Sequence, residues 1–152
     1  MGILKKSACL IATLGPIGYL PAPGTCGTIC AALSMYALRS AVALPAAWGI
    51  VAIGTLIAFL SVHYALPQFR GHSDPSQVVI DEYIGFAVLA CTIPVDGVVF
   101  AAAFLFFRFF DIVKPLGIKK VEHLPGALGI MGDDLVAALY AVLCLQGALY
   151  MV

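Results

Sequence analysis

Long apolar stretches without charge alternate with two short polar segments along this chain. The clearest apolar stretch covers residues 43–64, and it supplies the roughly 20 residues that a helix needs to cross a hydrocarbon core of about 30 Å. Pro45 falls in the first turn, where a missing amide proton is tolerated. The pattern therefore predicts a transmembrane helix over residues 43–64.

Four other apolar stretches predict further helices. A helix over residues 28–38 follows a Gly/Pro-rich loop, and the last helix covers residues 135–152. Residues 83–95 and 97–107 form two arms separated by Pro94, Asp96 and Gly97. Each arm reaches only about 20 Å. The arms either form one spanning helix with a charge near its middle or a hairpin that enters the membrane and returns.

The distribution of charge favours the hairpin. With a hairpin, one membrane face collects nearly all the cations and leaves only Arg39 opposite: Lys5, Lys6, Arg70, Arg108, Lys114, Lys119 and Lys120. The positive-inside rule makes that face cytoplasmic. We therefore predict an all-α fold, a compact bundle of membrane-embedded helices with short or re-entrant segments, forming a single domain over residues 1–152.

The composition of the chain agrees with a bundle that is surrounded by lipid. Hydrophobic residues make up 62% of the chain and charged residues 11%, whereas soluble domains carry about 25% charged residues. A chain with so few charges cannot cover its exterior with solvated groups. The formal net charge of zero argues against a nucleic-acid partner.

Two segments deliver adjacent carboxylates to helix starts. Asp81 and Glu82 lie at the entrance of an apolar helix, and Asp133 and Asp134 follow a glycine-flanked turn in the segment GIMGDDL. Acids at these positions often do no more than stabilise the helix dipole. Inside a membrane, however, an acid without a partner is costly and usually marks function. Gly85 leaves room for a neighbouring helix.

Two further segments supply groups suited to an anion. Residues 19–28 (YLPAPGTCGT) end at a predicted helix start, where Thr25 or Thr28 would cap the helix and free backbone amides could receive an anion. An ordinary capped turn without a ligand is the alternative. In FRFFDIVKP, Arg108 and Asp111 lie three residues apart, with Lys114 before a proline. They could be a simple ion pair or hold a phosphoryl group.

Together these segments bring six acids and two cations to one predicted face. Oxygen ligands without a set of His or Cys residues favour Mg²⁺ over zinc. No cysteine lies five residues before an arginine, and no DxD pair is present, so attack by a metal-activated water remains. The candidate metal ligands are Asp74, Asp81, Glu82, Asp111, Asp133 and Asp134.

The four segments, in this order, resemble the phosphatidylglycerophosphatase A family. The resemblance implies a Mg²⁺-dependent phosphatase that converts phosphatidylglycerophosphate to phosphatidylglycerol at the cytoplasmic face of the bacterial inner membrane. The carboxylates with the best claim to catalysis would be Asp81, Glu82, Asp111 and Asp134, and the phosphate would be held by Thr25, Arg108 and Lys114. Three positions depart from the family pattern: Leu116 replaces a second proline, Ala138 replaces a glycine, and an early glycine pair is split as GPIG.

Two other functional classes remain open. A divalent-cation transporter would also use intramembrane acids, but it would place them along a helix at mid-depth. A non-catalytic membrane subunit would leave the clustering of the acids without a purpose. The sequence sets no oligomeric state.

Overall fold

The computed structural model describes residues 2–69 and 75–150 of the chain. Within these residues it contains helices and turns and no strand, which confirms the all-α prediction. The seven α-helices are α1 (Ile3–Ala12), α2 (Pro23–Ala41), α3 (Leu44–Ala65), α4 (Ile80–Ala90), α5 (Gly97–Val113), α6 (Ile118–Glu122) and α7 (Ala127–Tyr150). Short 3₁₀ turns cover Ile17–Tyr19 and Leu66–Gln68.

Two of these helices are long and apolar enough to cross a membrane. They are Leu44–Gln68, which is α3 with its following turn, and Ala127–Tyr150. Helix α3 begins and ends one residue from the predicted boundaries of 43–64, so the strongest hydropathy prediction is confirmed. Its outer side chains include Ile53 and Leu56, both more than 60% exposed. Exposed aliphatic side chains on such a helix are suited to lipid contact.

The middle apolar arms form a hairpin. Helix α4 ends at Ala90, and Asp96 caps α5 by accepting hydrogen bonds from the amides of Val98 (2.8 Å) and Val99 (3.0 Å). The rings of Phe86 and Phe107 then pack with centroids 5.9 Å apart. In one continuous helix these two residues would lie roughly 30 Å apart. Helix α5 therefore returns along α4, and the continuous-helix alternative is wrong.

Helix α2 begins earlier than predicted. It starts at Pro23, five residues before the expected Thr28, because proline is well suited to the first helical position. The residue before it, Ala22, has φ +53 and makes no side-chain cap. The prediction that Thr25 or Thr28 caps the helix is therefore wrong. Thr28 lies inside α2 and donates its hydroxyl hydrogen to the carbonyl of Gly24 at 2.9 Å.

Helix α7 also begins earlier, at Ala127 and not at residue 135. The expected turn before Asp133 is therefore its first two turns, and both acids lie within the helix. Its glycines serve close packing: a Cβ on Gly129 would lie 2.4 Å from the carbonyl oxygen of Leu124, and one on Gly132 would lie 2.8 Å from the side chain of Val121. The α6 segment can thus lie directly on α7.

Helix α4 occupies the centre of the bundle. It packs against α2, α3, α5 and α7, while α1 lies mainly on α3. Phe86 and Leu89 are fully buried in its core face. A Cβ on Gly85 would lie 3.0 Å from the ring of Phe107 and 3.1 Å from the Cβ of Asp134. Gly85 thus gives both α5 and α7 the close approach that the sequence predicted.

Replacing Gly85 by valine should therefore destabilise the fold. The added carbons would push against the fully buried ring of Phe107 and the backbone-linked Cβ of Asp134, and overpacking of this kind costs about 1–3 kcal/mol. Gly49→Val is the matched control, since a Cβ at Gly49 meets no atom within 4 Å. Unfolding of both variants in detergent should show the loss for Gly85→Val. Equal stabilities would contradict this packing.

Candidate active site

Three carboxylates from two helices meet at one end of the bundle. Asp81 and Glu82 lie in the first turn of α4, and Asp134 lies in the second turn of α7. Each offers an oxygen, and these oxygens all lie within 4.8 Å of one another. Asp81 and Asp134 are buried, and Glu82 is partly buried. We call these three residues the carboxylate cluster.

The cluster contains polar atoms whose hydrogen-bonding capacity is unused. Oδ1 of Asp134 and Oε2 of Glu82 are buried and have no hydrogen-bond partner among the described residues. Buried carboxylate oxygens normally have a donor or a cation, because their desolvation is costly. Burial raises the pKa of Glu82, and the negative charge of Asp111 acts in the same direction against the opposing effects of Asp81 and Arg108. A further cation beside these oxygens would both supply the missing partner and favour the charged form of Glu82.

Arg108 lies beside the cluster and joins α5 to α2. Its Nη1 lies 2.5 Å from Oδ2 of Asp111, one turn further along α5, and 3.4 Å from the hydroxyl oxygen of Thr28. Its Nε is buried and donates to no acceptor among the described residues. The guanidinium is therefore held in place on one side while another of its N–H groups stays available. Such a fork suits a phosphate oxygen.

The backbone of α2 approaches the same point. A Cβ on Gly24 would lie 2.1 Å from Oε1 of Glu82 and 3.4 Å from Nη1 of Arg108. A side chain at position 24 would therefore displace the carboxylate of Glu82 from its place in the carboxylate cluster. The positive end of the α2 dipole, with Thr25 in its first turn, thus faces the charged groups.

Lys114 forms a second cationic position. The residue ends α5 in a left-handed conformation with φ +47, and its Nζ lies 2.5 Å from Oδ2 of Asp133 and 3.3 Å from Oε2 of Glu122. Burial acts to lower the pKa of Lys114, but the hydrogen bond and charge of Asp133, with those of Glu122, outweigh it and hold this pKa above its ordinary value of 10.5. Lys114 is therefore a charged ammonium.

These groups surround a cavity of about 410 Å³. We call it the site cavity. Its walls come from the start of α2, the segment before α4, the end of α5 and the second turn of α7. The lining residues are Ala22, Pro23, Gly24, Thr25, Ser76, Val78, Asp81, Glu82, Arg108, Asp111, Ile112, Lys114, Asp133 and Asp134.

The structure brings together every candidate site residue from the sequence except one. Asp74 lies outside the described residues. The adjacent acids of α7 diverge as expected from the 100° helical step: Asp134 joins the carboxylate cluster, and Asp133 pairs with Lys114. Asp111 lines the cavity but pairs with Arg108 and lies outside the cluster.

Two contributors had no site role in the sequence prediction. The hydroxyl of Thr28 contacts Arg108, which lies 80 positions later in the sequence. The carboxylate of Glu122 contacts Lys114 from the helix that follows the turn after α5. The charge distribution predicted from the sequence puts Glu122 on the same face as the cations but does not pair it with Lys114. Neither contact has a periodic signal, because each depends on how two separate helices pack.

Removing the ammonium of Lys114 should destabilise the protein. Lys114→Met leaves the carboxylate of Asp133, whose side chain is 6% exposed, without this cation, and breaking a buried pair costs about 3 kcal/mol. Lys119→Met is the control, because the exposed Lys119 should change stability by less than about 0.5 kcal/mol. Equal free energies of unfolding for the two variants would contradict a stabilising pair.

The dependence on pH provides a second measure of this pair. A raised pKa in the folded state means that the contribution of Lys114 is fully present below the unfolded value of 10.5 and is lost as pH rises through the folded value. The stability difference between wild type and Lys114→Met should therefore be the same at about pH 7 and about pH 9. Unfolding curves at the two pH values measure it, and a difference that shrinks by pH 9 would contradict the raised pKa.

Comparison with known proteins places the chain in a family. The model of the family described as phosphatidylglycerophosphatase A (PgpA) matches residues 10–149. A Haemophilus influenzae protein named phosphatidylglycerophosphatase A is 38% identical over 128 residues, which cover 81% of this chain and 76% of that protein. A Bacteroides thetaiotaomicron protein, described provisionally as a phosphatidylinositol-3-phosphatase, is 35% identical over 150 residues, 94% of each chain. No solved structure matches significantly. The chain therefore belongs to the phosphatidylglycerophosphatase A family.

Proposed function

We propose that this chain is a Mg²⁺-dependent lipid phosphatase that hydrolyses the phosphate monoester of phosphatidylglycerophosphate, giving phosphatidylglycerol and inorganic phosphate in phospholipid biosynthesis. The observation that carries the proposal is the carboxylate cluster, three acids within 4.8 Å of one another, in a cavity that also contains Arg108 and Lys114. Membership in the family and the name of the Haemophilus relative support this substrate.

The residues of the cavity fit Mg²⁺. The cluster offers only carboxylate oxygens, the ligands that this ion prefers, and Glu82 and Asp134 each keep a buried oxygen without a hydrogen-bond partner among the described residues. Asp81, Glu82 and Asp134 would hold the ion, with Asp111, Asp133 and Asp74 as further ligands or supporting groups. When bound, Mg²⁺ supplies Lewis-acid polarisation of a phosphoryl oxygen and makes a water more acidic.

The side chains of the cavity would divide the reaction between them. Arg108 and Lys114 bind oxygens of the phosphate monoester and neutralise their charge. The start of α2, including Thr25, offers backbone amides to the same group. A water oxygen attacks phosphorus, the bond from phosphorus to the glycerol oxygen breaks, and a carboxylate of the cavity accepts the proton that the water loses. The protonated carboxylate then donates this proton to the glycerol oxygen, which leaves as the alcohol.

The active site would face the cytoplasm at the inner membrane of a bacterium. The described cations near that end of the bundle support this orientation through the positive-inside rule: they include Arg108, Lys114, Lys119 and Lys120. The carboxylate-bearing ends of α4 and α7 would then lie where lipid head groups meet water.

The two alternative classes from the sequence receive less support. A cation path would place acids along the helices, whereas the acids of the described residues gather at one end and Asp96 alone caps the far end of the hairpin. A non-catalytic subunit would not need Arg108 and Lys114 beside a carboxylate cluster. The Bacteroides relative instead raises a second lipid monoester, phosphatidylinositol 3-phosphate, as a candidate substrate.

Release of inorganic phosphate by the purified protein tests the function. Phosphatidylglycerophosphate should be hydrolysed with Mg²⁺ and not with a chelator, and phosphatidylinositol 3-phosphate should react more slowly. Asp134→Asn should lower kcat/KM by more than about 100-fold, since even supporting residues of metal sites cost about 10- to 100-fold. Asp96→Asn is the matched control, because asparagine also caps helices well and Asp96 lies away from the cavity.

Three outcomes would contradict parts of this proposal. Hydrolysis that survives chelation would exclude the Mg²⁺ mechanism. Faster hydrolysis of the inositol lipid would change the substrate and leave the site intact. Equal activities of Asp134→Asn and Asp96→Asn would remove the carboxylate cluster from the reaction.

Arg108→Lys should show whether phosphate binding needs the shape of the guanidinium as well as its positive charge. Lysine keeps the charge but loses the planar guanidinium, whose Nη1 contacts Asp111 and Thr28 and whose other N–H groups can bind phosphate. Loss of one hydrogen bond to a charged group is worth about 1.5–3 kcal/mol, so kcat/KM should fall about 10- to 100-fold. Steady-state kinetics measures this change, with Arg39→Lys as a control at the other end of α2. An Arg108→Lys variant as active as wild type would exclude bidentate recognition.

A further inference from the structure

An apolar groove of about 530 Å³ runs along the outside of the bundle between α2 and α5. We call it the acyl groove. Its lining repeats at helical spacing on both walls, with Ile29, Leu33 and Tyr36 from α2 and Ala101, Phe104 and Leu105 from α5 among the residues. Among the residues that the structure describes, no charged one lines the groove. A surface of this kind favours a hydrocarbon occupant.

The groove and the site cavity lie about one helical turn apart on the same two helices. Arg108 lies four residues after Phe104 on α5, so it shares the helix face of Phe104 that lines the groove. On α2, Thr25 of the cavity lies four residues before Ile29 of the groove. The contact from Nη1 of Arg108 to the hydroxyl of Thr28, at 3.4 Å, connects the two walls where polar lining gives way to apolar lining.

Two aromatic rings line the groove away from the site cavity. The rings of Tyr36 and Phe100 meet edge to face with centroids 5.2 Å apart. Each of these residues lies eight positions from the Thr28–Arg108 contact along its own helix, a rise of about 12 Å. The same two contacts show that α2 and α5 run in opposite directions. The groove therefore extends about 12 Å from the Thr28–Arg108 contact to the two rings, and Gly97 lines it one turn further on.

We propose that the acyl groove binds one acyl chain of the phospholipid whose phosphate monoester lies in the site cavity. This proposal rests on the proposed function, since it assigns a second part of the same substrate. The polar link of the lipid, its glycerol and phosphodiester, would lie near Thr28 and Arg108. The chain would then follow the groove toward Tyr36 and Phe100, so that both ends of the substrate fix the position of the reacting phosphorus.

Kinetics with lipids of different chain length tests this assignment. For wild type, kcat/KM should rise as the acyl chains lengthen and level off once a chain fills the groove past Tyr36 and Phe100. Ala101→Trp fills the groove and should lower the ratio of long-chain to short-chain kcat/KM by about tenfold or more, since several methylene contacts are lost. Ala52→Trp, at an equally exposed alanine of α3 outside the groove, should leave that ratio unchanged.

An unchanged ratio in Ala101→Trp, or an equal loss for every chain length, would overturn the proposal. Ala32→Trp repeats the test from the opposite wall of the groove if Ala101→Trp does not fold. A wild type that hydrolyses no phosphate monoester at any chain length would contradict the proposed function, and occupancy of the groove is then decided by a measurement that needs no turnover.

Fluorescence quenching provides that measurement. The chain has one tryptophan, Trp48 on α3, so Trp48→Phe combined with Phe104→Trp places a single reporter in the groove. Phosphatidylglycerophosphate with brominated acyl chains, at low mole fraction in micelles, should quench this reporter several-fold more than brominated phosphatidylcholine does. Wild type, with Trp48 outside the groove, should show no such preference. Equal quenching of the groove reporter by both lipids would overturn the proposal.

Discussion

The burial of carboxylates among apolar helices is the constraint on which the rest of the structure depends. Asp81 and Asp134 are 7% and 3% exposed in a chain whose exterior is mostly aliphatic. Their charges are costly unless cations and donors lie close by. The ends of α2, α4, α5 and α7 therefore converge on one point, where Arg108 and Lys114 supply compensation within the chain. The buried oxygens of Glu82 and Asp134 that have no hydrogen-bond partner among the described residues would fit the divalent cation proposed above.

Glycine makes this convergence sterically possible. Gly85 lets α5 and α7 meet α4 one turn below the carboxylate cluster, and Gly24 lets α2 begin against Glu82. A side chain at position 85 would push α5 or α7 away from α4, and one at position 24 would displace the carboxylate of Glu82. The electrostatics of the site thus depend on the packing of the helices, because the charged groups stabilise one another only where the helices approach closely.

The sequence predicted the parts of this structure that depend on local pattern. Hydropathy located α3 to within one residue, and the distribution of charge between the two membrane faces favoured the hairpin that α4 and α5 form. Boundaries failed at α2 and α7, where Gly, Pro and Thr were interpreted as loop residues. In both places tertiary packing determines the outcome, because the glycines permit contacts with distant segments. The sequence could not show that Asp133 pairs with Lys114 while Asp134 joins the carboxylate cluster, because these contacts depend on how the helices pack.

The depth of the cluster along α7 bears on the kind of chemistry that this fold can support. Asp134 lies seven residues after the first residue of α7, about 10 Å into a helix of about 36 Å. If α7 crosses a core of about 30 Å symmetrically, Asp134 lies about 7 Å inside one boundary and about 7 Å short of the midplane. Water then reaches the cavity from one side, while a lipid can approach from the bilayer with its head group at the same depth. An ion path would need acids at mid-depth, but hydrolysis of a lipid head group needs water and substrate to meet at this level.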